Sequence, residues 1–191
     1  MTAEGPPPAG QAPGGGVGLA EDAATARRRF RRTAGRFATG VTVVTTHADG
    51  QPHGTTVNSF TTVSMDPFMV MVSLGRGSRL HDRILDSWTF CVSVLAADQE
   101  ADATWFADRS RPSGAEAFAD RPWRAAPRSG APILLDGVAY FDCTVADARP
   151  AGDHTLLLGR VESFAVLSDR PALVFADSRF VPQAAHQEEH P

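Results

Sequence analysis

The sequence predicts a mainly-β protein: a small antiparallel barrel with peripheral helices. Three observations carry that prediction. Six or seven short runs rich in Val, Thr, Leu and Phe recur between residues 41 and 175. Most are joined by hairpin-type turns, such as Ala48-Asp49-Gly50-Gln51 and Arg149-Pro150-Ala151-Gly152-Asp153. Only three stretches show helical spacing, and so many hairpin-joined strands with so few helices argue for a small antiparallel barrel. With 191 residues the chain has room for one domain with a full core and is short for two.

Each element has its own signal. Residues 1–21 are Gly-, Pro- and Ala-rich and read as a disordered tail. Their Gly14–Gly18 run follows no strand and opens no βαβ unit, so it is no dinucleotide fingerprint. From Asp22 to Thr39 a helix is expected, with Asp22 or Thr25 as N-cap and Gly40 as its stop. Phe30, Ala34 and Phe37 share one face. The other carries Arg27, Arg28, Arg29, Arg31, Arg32 and Arg36 and reads as a solvated basic surface more than a phosphate grip.

Val41–His47 and Pro52–Ser59 form the first hairpin. Phe68–Leu74 is nearly continuous in apolar residues and is expected to be covered on both faces. Ser78 caps a short helix over residues 79–87, Trp88–Leu95 is a strand, and Asp98 is expected to cap a helix reaching Phe106 or Ala107. Residues 108–132 look like a long surface excursion, a feature that is usually functional or mobile. Gly137–Asp147 and His154–Leu167 pair across a hairpin, and Leu173–Phe175 is the last strand. The expected domain is therefore 22–181, with a second disordered tail at 182–191.

Composition excludes several classes. A net charge of −4 argues against nucleic acid or an anionic membrane as main partner. All 18 basic residues are Arg, which codon bias explains most simply. A disulfide between Cys91 and Cys143 is allowed on count alone, but two buried free thiols in a reducing cytoplasm are favoured. No apolar run reaches membrane-spanning length and the N-terminus lacks the order of a secretion signal, so a cytoplasmic protein is expected. No metal-ligand spacing and no G-x-S-x-G elbow occurs, and His186 and His190 lie in the tail; no metal site is expected.

The stretch that carries chemistry is GTTVNSFTTVSMDP, Gly54–Pro67. It lines up the neutral donors Thr55, Thr56, Asn58, Ser59, Thr61, Thr62 and Ser64, with no charge before Asp66. Such a strand suits a polar, phosphorylated ligand. Ser78 and Arg79 at a helix start offer free N–H groups and a cation for phosphate, against the plainer reading of a cap beside a solvated arginine. His154, after the Gly152-Asp153 turn, stands at a barrel rim.

In order, the chain shows FATGVTVVTT (37–46), GTTVNSFTTVSMDP (54–67), MVSL (71–74), SRLHD (78–82), FCVSVL (90–95), FDCTV (141–145) and GDH (152–154). This series resembles the flavin reductase family of the FMN-binding split barrel, over about residues 27–181. The resemblance implies a homodimeric Greek-key split β-barrel that uses NADH or NADPH to reduce FMN or FAD. It also implies that reduced flavin passes to a separate monooxygenase component. By position, Thr56, Val57, Asn58 and Ser59 are expected at the isoalloxazine and ribityl chain. Ser73, Leu74, Ser78 and Arg79 are expected at the phosphate end, with the backbone of Gly40 and Val41 near the ring. His154 takes the nicotinamide side, positioning it for hydride delivery to N5, and no residue need act as general acid or base. Ser93 stands where the family has Asn, and Ala176 and Ser178 replace a Tyr and a Gly of its C-terminal pattern, which bears on the pyridine-nucleotide end. Two rival readings are a non-catalytic flavin-binding barrel and a split-barrel oxidase acting on a small organic substrate.

Overall fold

The computed structural model describes residues 22–181. The two expected tails, with the Gly14–Gly18 run, His186 and His190, lie outside the described residues. Twelve strands form: β1 (Thr39–Gly40), β2 (Thr42–Ala48), β3 (Gln51–Val57), β4 (Thr61–Met65), β5 (Phe68–Gly75), β6 (Thr89–Val94), β7 (Trp123–Ala125), β8 (Pro132–Leu134), β9 (Ala139–Ala151), β10 (His154–Val166), β11 (Val174–Ala176) and β12 (Arg179–Val181). Three helices accompany them: α1 (Ala23–Ala34), α2 (Arg79–Ser87) and α3 (Glu100–Ala107). The fold is mainly β with peripheral helices, as the sequence predicts.

Seven strands make one antiparallel sheet in the order β3-β2-β6-β9-β10-β5-β4. Its two end strands are consecutive in the chain, so the sheet must curl until they meet at Asn58–Phe60. There the Ser59 hydroxyl accepts from the Ser73 amide and donates to the Ser73 carbonyl, both at 2.9 Å. One side chain thus does the work of a sheet pairing and closes the seam onto β5.

Asp49 and Gly50, at φ 51° and 71°, form the tight turn between β2 and β3 that their sequence signals. The core inside the curl packs Val44, Val72, Phe90, Val92 and Leu157 against Leu80 and Ile84 of α2. A second cluster lies on the other face of β2, where Val41, Val43 and Leu95 meet Phe106 of α3 and Phe118. Neighbouring residues of one strand face opposite sides, which decides the cysteines. Cys143 joins the inner cluster and Cys91 a third, outer one with Ile133 and Tyr140, so both are buried free thiols and no bridge forms.

Several expectations are corrected. Helix α1 ends at Gly35, not Gly40, because the amides of Gly35, Arg36 and Phe37 close a tight last turn and Asp177 donates to the Gly35 carbonyl. Gly40 lies in β1. Phe30 and Phe37 are 74% and 78% exposed, so the apolar face of α1 has no cover among the described residues. In β5 burial alternates: Val70, Val72 and Leu74 are buried, Met69, Met71 and Ser73 between them are half-buried, and Phe68 at the strand's start is exposed. Asp98 caps nothing; it pairs with Arg170, and Gln99 precedes α3.

The stretch 108–132 is ordered into a 3-10 turn (Gly114–Phe118) and the start of the β7–β8 hairpin. Trp105 donates to the Ala117 carbonyl at 2.9 Å, and Arg121 stacks on Trp105 while bonding Asp102. Strand β11 falls at the expected last strand, and β12, which pairs with it in a hairpin, is an addition to the expected elements. The hairpin's turn residues Asp177 and Ser178 take φ 51° and 60° without glycine, so the usual sequence signal is missing.

Candidate functional site

Where the curled sheet meets α2, a cleft of about 1050 Å³ opens. Its wall is the end of β3 and the link to β4, Thr56 through Ser59. Ser73 and Leu74 come from β5, Ser78 and Arg79 from the start of α2, and His154 from β10. Nine of the residues singled out from sequence are thus brought together. Gly40 and Val41 are not among the lining residues: Gly40 pairs with Val174 in β1, and Val41 is buried in the outer cluster.

The neutral donors behave differently from a simple polar floor. Thr55 donates to the Phe106 carbonyl at 3.1 Å and Thr56 to that of Ala103 at 2.6 Å, so both hydroxyl hydrogens clamp β3 to α3. Ser59 is committed to Ser73. Asn58 differs: its side chain is exposed in the cleft and makes no hydrogen bond among the described residues. It retains an amide donor pair and a carbonyl acceptor for a ligand.

At the α2 end, Ser78 caps the helix by accepting from the His81 amide, which leaves the first-turn amides of Arg79 and Leu80 for a ligand. Arg79 is exposed, and its guanidinium is anchored by donating to the Arg109 carbonyl at 2.9 Å. Arg111, half-buried, donates to the carbonyls of Gly54 and Asp108 and lies over the Phe106 ring. Burial, then the charge of Arg79, holds the Arg111 pKa below its ordinary value. Burial and, next, Arg79 also push His53 below 6.5. His53 Nε2 and Arg111 Nε are buried without hydrogen-bond partners among the described residues. Two orphaned polar atoms beside a cationic, amide-rich helix start fit an anionic group, the chemistry of a phosphorylated ligand. Sequence reasoning missed His53, Arg109 and Arg111, because the arginines sit in a stretch read as loose loop.

His154 pairs with Gly75 across the β5–β10 ladder, and the Gly75 carbonyl accepts from the Ser78 amide. The His154 Nδ1 lies 2.8 Å from the Asp153 carboxylate. That bond is the main cause holding Asp153 below the usual carboxylate range. It fixes the ring and leaves Nε2 toward the glycine, where a side chain would stand 3.9 Å away. Below it, the buried His81 bridges Asp82 and Thr155, tying α2 to the residue beside His154. Ser93, in the place of the family's Asn, is buried and accepts from the Leu134 amide at 3.1 Å, so the departure concerns packing of β8 and not the cleft.

The flavin reductase like domain model matches residues 34–184. The chain belongs to that family. It is 41% identical over 154 residues to the NADH-dependent FAD reductase of Streptomyces globisporus, covering 81% of this chain and 84% of that one. It is 36% identical over 148 residues to HsaB of Rhodococcus jostii, the reductase subunit of a flavin-dependent monooxygenase, covering 78% and 73%. Among solved structures, the Streptomyces globisporus NADH:FAD oxidoreductase in complex with NAD and FAD fragments superposes with a TM-score of 0.78 at 38% identity. That match covers 85% of this chain and 95% of that one. Among the described residues no helix is long and apolar enough to cross a membrane, and no group of three metal-ligating side chains occurs.

Proposed function

We propose that this flavin reductase family member is an NADH-dependent reductase of FMN or FAD that hands reduced flavin to a separate monooxygenase. The observation that carries the reading is that one cleft gathers two kinds of group. Arg79, Arg111, His53 and free helix amides suit the flavin phosphate, and His154, oriented by Asp153, suits the nicotinamide. When bound, the flavin supplies a two-electron acceptor: the nicotinamide C4–H bond breaks, its hydrogen leaves with both electrons, and water provides the balancing proton.

The chain's residues do the positioning. Asn58 and the backbone of Thr56–Ser59 hold the ring edge, the Ser78–Arg79 turn holds the phosphate, and Gly75 leaves room beside His154. We assign no proton to any side chain in the transfer.

The protein is further proposed to be a cytoplasmic homodimer with a split-barrel domain at 22–181. Support comes from Met65 of β4, Phe68 of β5, and Phe164 and Val166 of β10, which are all exposed, with Phe68 packed edge-on against Phe164. An apolar patch of this kind marks an interaction surface.

Anaerobic oxidation of NADH and NADPH with added FMN, FAD or riboflavin tests the function. Turnover with NADH and a phosphorylated flavin is expected. A protein that keeps flavin bound but oxidises neither nucleotide would instead be a binding barrel. Oxygen uptake that depends on a small organic substrate would indicate an oxidase.

A further inference from the structure

A second concavity, of about 420 Å³, lies between α1 and the β11–β12 turn. It is lined by Arg28, Arg31, Arg32 and Arg36 with Asp177 and Ser178. Arg31 lines this hollow and the large cleft alike, so the two adjoin. Among the described residues only one of its four cations has an acidic partner: Arg36 pairs with Asp177 at 3.3 Å. Arg28 bonds the Thr25 hydroxyl, while the Arg31 and Arg32 side chains have no hydrogen bond or ion pair among the described residues.

Arg28, Arg31 and Arg32 stand three and four positions apart, one above another on the same helix face. Like charges at that spacing repel each other, and an anion placed among them relieves the repulsion. Two of these arginines lie in the last turn, where they also offset the helix dipole. That role accounts for a cation there but not for a concave cluster sharing a residue with the cleft. The sequence suggested a solvated face; the hollow changes that reading.

We infer that the Arg28–Arg31–Arg32 hollow binds the pyrophosphate–adenosine half of the pyridine nucleotide, leaving the nicotinamide half in the cleft beside His154. This rests on the proposed reductase reading. Hydride transfer needs two anionic ligands in place at once. The flavin phosphate takes the cationic end at Arg79 and Arg111, so the donor's phosphates need a second cationic site reached from the His154 side. Helix α1 supplies it. Arg27 lies near enough to Asp153 to act on that carboxyl, Arg31 reaches the cleft, and Arg36 ends at Asp177. Guanidinium groups suit the task through planar, paired hydrogen bonds to phosphate oxygens.

The test compares wild type with the Arg28→Ala/Arg32→Ala variant on two donors. NADH carries the pyrophosphate and adenosine; reduced nicotinamide mononucleotide lacks the adenosine half. The ratio of kcat/KM for NADH over the mononucleotide should fall by about tenfold or more in the variant. Binding of ADP-ribose is measured in parallel by calorimetry, with saturating FMN filling the Arg79 end. Its affinity should weaken by a similar factor, and Arg32→Lys should restore only part of it. An unchanged ratio together with unchanged ADP-ribose affinity would overturn the inference. If wild type oxidises no nucleotide with any flavin, the reductase reading fails, while the ADP-ribose arm still decides whether the hollow binds this ligand.

Discussion

His154 is fixed through one ring nitrogen and open at the other, the geometry of a residue that orients a ligand without holding its charge. Removing it should raise the KM for NADH by about tenfold, the equivalent of one hydrogen bond of about 1–1.5 kcal/mol, with little effect on the KM for FMN. Steady-state kinetics of His154→Ala check this; an unchanged NADH KM and turnover would contradict it. His53 supplies a pH prediction. Burial, then Arg79, lowers its folded-state pKa below 6.5, so the unfolded chain takes up the proton first as pH falls. Stability from this group is whole above about pH 6.5 and is lost as pH drops below that value, levelling off under the folded pKa. Urea midpoints between neutral pH and pH 5 should fall less in His53→Gln than in wild type. The buried thiols give a third test. Burial, then the charge of Asp142, raises the pKa of both. Neither Cys91 nor Cys143 should react with a thiol reagent in the native protein, and both should react in denaturant.

At the scale of elements, the seam between β3–β4 and β5 rests on Ser59. Ser59→Ala removes both bonds to Ser73 and leaves that backbone pair short of a partner. It should cost about 1–2 kcal/mol by denaturant unfolding and weaken flavin binding, because the Thr56–Asn58 wall is anchored there. Equal stability would show that the seam closes without it. Elements with local signals were legible in the sequence. Asp49-Gly50 announced a tight turn, Ser78 a helix start, and the first half of the neutral run, 54–59, the wall of the cleft, whereas Thr61, Thr62 and Ser64 of β4 lie outside its lining. The rest depended on contacts between distant residues. Nothing local says that Arg79 reaches the Arg109 carbonyl, or that Trp105 and Arg121 order the stretch after α3. Asp177 and Ser178 form a left-handed turn without glycine, so the last hairpin had no readable mark. The hydroxyls of Thr55 and Thr56 looked like ligand donors, and only the packing of α3 shows where their hydrogens go.

For the whole molecule, charge and apolar surface are segregated. Eight arginines line the cleft and its neighbouring hollow, while Met65, Phe68, Phe164 and Val166 of β4, β5 and β10 are exposed and apolar. These apolar side chains need a cover that the described residues of one chain do not supply. Phe164→Glu should therefore shift the protein from dimer to monomer in sedimentation analysis, whereas a wild type that sediments as a monomer would contradict the assignment of that face. The central claim is that one cleft seats both the flavin and the hydride donor. The position of FMN and NAD in a crystal of the complex tests it most directly. The account predicts the flavin ring against Thr56–Ser59, its phosphate at Ser78–Arg79 and the nicotinamide beside His154. Flavin bound away from this cleft, or a nicotinamide remote from His154, would contradict it.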